Sequence, residues 1–122
     1  DITLKIGTRS ETVQVPEANL QGILTPNEVS VALTGEAEVR RALNEPIGTP
    51  QLRDIVHPGE KIAIITSDIT RPMPTWKVMP ALLDELYDAG VKREDITLVF
   101  ALGSHRCHTE EEQRHLAGTV RE

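Results

Sequence analysis

The sequence predicts an α/β fold: a parallel, Rossmann-like sheet core preceded by a β-hairpin. Three observations carry that expectation. Two short runs, KIAIIT (61–66) and ITLVFAL (96–102), are apolar on both parities, the pattern of strands covered on both faces. Between them TWKVMPALLDELYDAG (75–90) places Val78, Leu82, Leu83 and Leu86 at helical spacing, and two strands joined through a helix run parallel with a right-handed crossover. The first sixteen residues instead alternate, with Ile2, Leu4, Ile6, Val13 and Val15 apolar around Gly7. That is a hairpin with one buried face.

The remaining elements follow in order. Residues 17–35 give mixed signals and read mostly as loop. EAEVRRAL (36–43) is rich in helix formers and ends before Pro46. TPQLRDIV (49–56) predicts a short helix with Thr49 as cap and Pro50 in the first turn, and HPGE (57–60) a turn. In 75–90, Gly90 stands at the C-terminal cap, while Pro80 is expected to delay the firm part of the helix to its own position. Thr109 and Glu112 form a capping-box signature that starts a last helix.

The bulk properties exclude several classes. The chain has 122 residues, 39% hydrophobic and 26% charged, an ordinary globular balance. Its formal charge is −6 and it shows no basic face, which argues against nucleic-acid binding. No stretch approaches the roughly 20 apolar residues of a membrane span. One cysteine, Cys107, allows no intrachain disulfide and fits a reducing, cytoplasmic setting. Aromatic residues number three (Trp76, Tyr87, Phe100), so Val, Ile, Leu and Ala must build the core. The N-terminus lacks an initiator Met and the C-terminus stops just after a helix, so the chain reads as a piece of a longer one.

Chemistry concentrates after the two strands. In a parallel sheet both post-strand loops emerge at the carboxyl edge, where ligands bind, so SDITRP (67–72) and GSHRCH (103–108) are expected to be neighbours. Arg71 offers a planar fork for a carboxylate or phosphate. Asp68 can hold that fork or orient a base, and Pro72 and Pro74 stiffen the loop. The alternative is a plain Asp68–Arg71 ion pair that closes a turn. His105 can act as general acid or base, against the alternative of a hydrated surface histidine. His105, Cys107 and His108 could ligate a metal, but no second Cys/His cluster accompanies them. Asp68-Ile69-Thr70 has a phosphatase-like look, yet Thr66 stands where the attacking carboxylate would be.

SDITRP (67–72), about thirty residues before ALGSHRCHTEEE (101–112) and preceded by NEPIGTPQLRDIV (44–56), resembles the nickel-pincer lactate racemase family. The resemblance runs the length of the chain and corresponds only to the start of that family's N-terminal domain. It implies that residues 1–122 are a single partial domain of a larger two-domain protein. It implies racemisation or epimerisation of a 2-hydroxy acid, with a histidine taking the hydroxyl proton while hydride passes to a nickel pincer nucleotide. It places His105 on a family acid/base histidine, Arg71 on the carboxylate-binding arginine and Asp68 on the acid of the same loop. Ser67 and Thr70 then face the cofactor. The second acid/base histidine, the cofactor-bearing lysine and the nickel-ligating histidine fall beyond this chain, and His108 and His115 are not assigned to those roles. The partners implied are a small 2-hydroxy acid and the remainder of the parent chain, with a homodimer of the isolated piece as a further expectation. A small non-catalytic module that binds an anion or carboxylate is the alternative function, and an assembly surface a third.

Overall fold

Alternation near the N-terminus produces strands β1 (Ile2–Ile6) and β2 (Arg9–Val13), paired antiparallel with Ile6 opposite Arg9. The two-residue loop between them opens on Gly7, whose φ of 60° suits the first central position of a hairpin turn. The computed structural model describes residues 1–121 and divides into two compact units, Asp1–Ser30 and Val31–Glu122. Within the first unit the expected buried face of the hairpin is not found. Leu4, Ile6 and Val13 are exposed, because a two-stranded ribbon has no third layer of its own to cover them. Residues 17–34 contain one 3₁₀ turn, Glu17–Asn19, and are otherwise irregular.

The second unit holds the strand–helix–strand order. Helices α1 (Gly35–Asn44) and α2 (Leu52–Ile55) precede β3 (Ile62–Ser67). Then come α3 (Thr75–Asp88), β4 (Ile96–Ala101) and α4 (Glu110–Ala117). β3 and β4 pair in parallel, Ile62 beside Ile96 through Ser67 beside Ala101. The parallel core is therefore present, as expected. The double coverage of its strands is not. Ile62, Ile64, Leu98 and Phe100 are partly buried, whereas Ala63, Ile65, Thr97, Val99 and Ala101 are exposed, with Ile65 71% accessible. Alternate residues of a strand point to opposite faces, so one whole apolar face of the sheet lies open within this unit.

α3 is the hub, packing against α1, α2 and α4. Met79, Ala81, Leu86, Val91, Leu116 and Ala117 form the buried apolar core. Two arginines lace the helices together. Arg40 bridges Glu36 and Asp84 at 2.7 Å each, and Arg53 grips Glu85 through bonds of 3.0 and 2.7 Å. α3 begins at Thr75, five residues before Pro80, so the proline does not delay it. Pro80 removes only the hydrogen bond its own amide would make to the Trp76 carbonyl. Meanwhile the Thr75 hydroxyl, buried against Thr66 at 2.5 Å, anchors the first turn to β3. α2 is capped at Gln51, two residues later than expected, and the Thr49 hydroxyl turns to the Pro50 carbonyl instead.

The end of α3 is a Schellman motif. Gly90 donates to the Tyr87 carbonyl at 2.9 Å and Val91 to the Leu86 carbonyl at 3.0 Å. Gly90 has φ 86°, and a Cβ there would come within 2.9 Å of Pro58 Cγ. Gly90→Ala should therefore lower stability by about 1–2 kcal/mol, the left-handed penalty of a residue with a Cβ. A fall in the urea midpoint at unchanged slope would check it.

Candidate active site

The parallel pairing of β3 and β4 brings the loops after Ser67 and Ala101 to one edge. Asp68 is the first residue past β3 and is only 3% exposed. One of its carboxylate oxygens accepts from the Thr70 amide (2.9 Å), the Thr70 hydroxyl (2.8 Å) and the Arg71 amide (3.1 Å). The Asp68 carbonyl also accepts from the Arg71 amide at 3.2 Å. This is the local turn that Asp forms with the backbone two residues on. The other carboxylate oxygen meets His105 Nδ1 from the opposite loop. Gly103, with φ 58°, lets the chain fold back after β4 so that the His105 amide reaches the Leu102 carbonyl at 3.0 Å.

The electrostatics follow from these contacts. The hydrogen bond with His105, then that from the Thr70 hydroxyl, pull the Asp68 carboxyl down to about 2, outweighing the opposing effect of its burial. An ionised Asp68 makes Nδ1 the donor nitrogen of His105. That leaves Nε2, on a side chain half exposed to solvent, as the nitrogen able to accept a proton. This is the base–orienter arrangement of acid/base sites generally.

Arg71 forms no ion pair with Asp68; Asp68 engages its backbone amide instead. Among the described residues the exposed guanidinium bonds only its neighbour's carbonyl, that of Thr70, at 3.0 Å. The turn-closing Asp–Arg pair is thus replaced by an Asp–His pair with a cation left beside it. The Ser67 hydroxyl accepts from the Met73 amide at 3.1 Å and ties down the far end of the loop. The Thr70 hydroxyl is committed to Asp68 and lies 3.3 Å from His105 Nδ1.

His108 is the site residue whose part no sequence pattern marked. Its Nε2 accepts from the Ile69 amide at 3.1 Å, and its ring stands edge-on to Phe100 with centroids 5.2 Å apart. Arg106 points away, paired with Glu112 at 2.8 and 2.7 Å. Glu112 closes the expected capping box with Thr109, and the Arg106 bond holds its carboxyl at about 2. Cys107 is exposed. Among the described residues no group of three or more His, Cys, Asp or Glu side chains is placed to hold a metal ion.

A β-α-β unit that brings an Asp–His pair and an exposed arginine to its strand ends defines an α/β protein with its polar side chains gathered at the carboxyl edge of a parallel sheet. The lactate racemase N-terminal domain family matches residues 6–121, and the chain belongs to that family. It is 36% identical over 116 residues to a lactate racemase of Thermoanaerobacterium thermosaccharolyticum, aligning 93% of this chain and 27% of that protein. A lactate racemase of Lactiplantibacillus plantarum is 32% identical over 113 residues, aligning 91% of this chain and 26% of that protein. The structure of the T. thermosaccharolyticum lactate racemase apoprotein superposes with a TM-score of 0.76 at 33% identity, covering 95% of this chain and 27% of that one. The chain thus spans about a quarter of the length of these relatives.

The lowered carboxyls set the acid limb of stability. Asp68 falls from an ordinary 3.8 to about 2 in the fold, and Glu112 from 4.5 to about 2. The unfolded chain binds these protons first on acidification. Their stabilisation is therefore complete above the ordinary values and disappears as pH drops through about 2. Urea melts of the wild type should lose stability across that window, and Asp68→Asn should lose correspondingly less.

Proposed function

We propose that the chain is the N-terminal portion of a 2-hydroxy-acid racemase or epimerase of the lactate racemase type. The observation that carries this is the Asp68–His105 pair on adjoining strand ends, with Asp68 in the same loop as an exposed Arg71 that pairs with no acid among the described residues. Family membership and the shared names of the relatives support it. Arg71 receives the substrate carboxylate through paired hydrogen bonds. His105 Nε2 takes the hydroxyl proton of one enantiomer, Asp68 holds the imidazolium that forms, and the second acid/base histidine of the parent chain serves the other enantiomer.

A nickel pincer nucleotide, as the resemblance implies, would supply the hydride acceptor next to this edge, while His105, Asp68 and Arg71 handle the proton and the carboxylate. The resemblance puts the groups that would hold this cofactor in the remainder of the parent chain. Ser67 and Thr70 contribute the polar rim that faces it. The bare apolar face of β3 and β4, with Ile65 and Val99 exposed, is the surface this remainder covers, and in an isolated piece the same face would favour a homodimer. The setting proposed is cytoplasmic. No described helix is long and apolar enough to cross a membrane.

The test is racemisation of a single lactate enantiomer by the full-length protein in D₂O. Inversion without deuterium at the carbon supports hydride return, and wash-in at each turnover would reject it. His105→Ala should lower kcat by a factor on the order of 100. Arg71→Ala should raise KM and lower kcat/KM by ~10–100-fold, the loss of a charge-assisted pair. An anion-binding module without catalysis would show neither effect, because the unaltered protein would not turn lactate over.

A further inference from the structure

We infer that His108 is a positioning residue for the site, its Nε2 fixing the backbone of the Asp68 turn through the Ile69 amide. The inference rests on the functional reading above for its catalytic consequence, and on local geometry for the rest.

The turn after β3 exposes three successive amides, those of Ile69, Thr70 and Arg71. Asp68 satisfies two of them: its carboxylate accepts from Thr70 at 2.9 Å and from Arg71 at 3.1 Å. The Ile69 amide points the other way and needs an acceptor from outside the turn. His108 Nε2 supplies it at 3.1 Å, from 39 residues further along. An imidazole nitrogen accepts only when it carries no proton, so the ring proton of His108 sits on Nδ1. That nitrogen is buried and has no hydrogen-bond partner among the described residues. An unpaired buried donor is unfavourable, yet the ring is held in this orientation. Its edge-on contact with Phe100 on β4 locks the plane.

The loops after β3 and β4 are thus joined at two histidines, three residues apart. His105 meets the Asp68 side chain and His108 meets the backbone of the next residue. The second bond acts on the first. With Ile69 released, the Asp68 carboxylate can rotate with its turn, and the orientation of His105 loosens. Arg71, two residues beyond Ile69, shifts with it. His108 touches no substrate and moves no proton; it sets where Asp68 and Arg71 stand.

Two variants separate the acceptor from the ring. His108→Phe keeps the aromatic contact with Phe100 and removes the acceptor, while His108→Gln keeps an acceptor oxygen near the Nε2 position and removes the ring. The full-length protein is labelled with ¹⁵N-isoleucine, ring-¹⁵N-histidine and carboxyl-¹³C-aspartate. In the unaltered protein the His108 ring should show Nδ1 protonated and Nε2 bare. In His108→Phe, Ile69 amide exchange should accelerate ~10-fold, the scale of one lost hydrogen bond. The Asp68 carboxyl should titrate upward from about 2 towards the ordinary range, and kcat/KM for lactate should fall ~10-fold or more. His108→Gln should retain most of all three.

A His108 ring protonated on Nε2, an Ile69 amide unmoved in His108→Phe, or a His108→Gln variant as impaired as His108→Phe would each overturn the inference. Should His108→Phe fail to fold, the tautomer and His108→Gln still decide it. If the unaltered protein racemises no 2-hydroxy acid, the functional reading fails, and the Ile69 and Asp68 signals alone decide the positioning role.

Discussion

One buried carboxylate organises this edge of the protein. Asp68 sits where β3 runs out and collects two backbone amides, one hydroxyl and one imidazole. Each donor belongs to a group that would otherwise be loose: the turn of residues 68–71, the Thr70 side chain and the loop after β4. Burial makes an ionised carboxylate unfavourable unless its lone pairs are filled, and here they are. The order of the site and the charge of Asp68 are therefore the same fact. The exposed guanidinium of Arg71 follows from it as well, because the acid nearest in sequence is engaged by other donors and leaves the cation without a carboxylate partner among the described residues.

The strand–helix–strand core was legible because it rests on periodicity and caps. The apolar runs at 61–66 and 96–102 became β3 and β4, Gly90 became the positive-φ residue of a Schellman motif, and Thr109 with Glu112 closed a capping box. The meeting of Asp68 with His105 followed from topology, since parallel strands put their exit loops together. Coverage of the strands is the departure. Ile65 and Val99 were expected to be buried and are exposed. Strand composition records burial in the whole protein, and this chain spans about a quarter of its relatives' length. The hairpin's open face has a related cause, since residues 1–30 alone provide nothing to lay against it.

Pro80 and His108 show two other limits. A proline inside a helix removes one bond, and the Thr66–Thr75 hydroxyl contact that holds the helix start comes from tertiary packing, not from the local pattern. His108 serves a backbone amide, and an amide has no side-chain signature. The available signal was arithmetic: Asp68 can satisfy the amides of Thr70 and Arg71, and the one between Asp68 and Thr70 is left over.

The uncovered sheet face also sets the order in which acid acts on the isolated chain. Net charge vanishes near the isoelectric point of about 5.2, well above the pH of about 2 at which Asp68 gains its proton. On acidification, colloidal repulsion is lost while the site is still fully bonded. The unpaired edges of the β3–β4 sheet and a strip holding Ile65 and Val99 can then meet copies of themselves with no net charge to keep them apart. Association of the isolated chain through this face is therefore favoured at a pH where the Asp68 site still holds all its bonds.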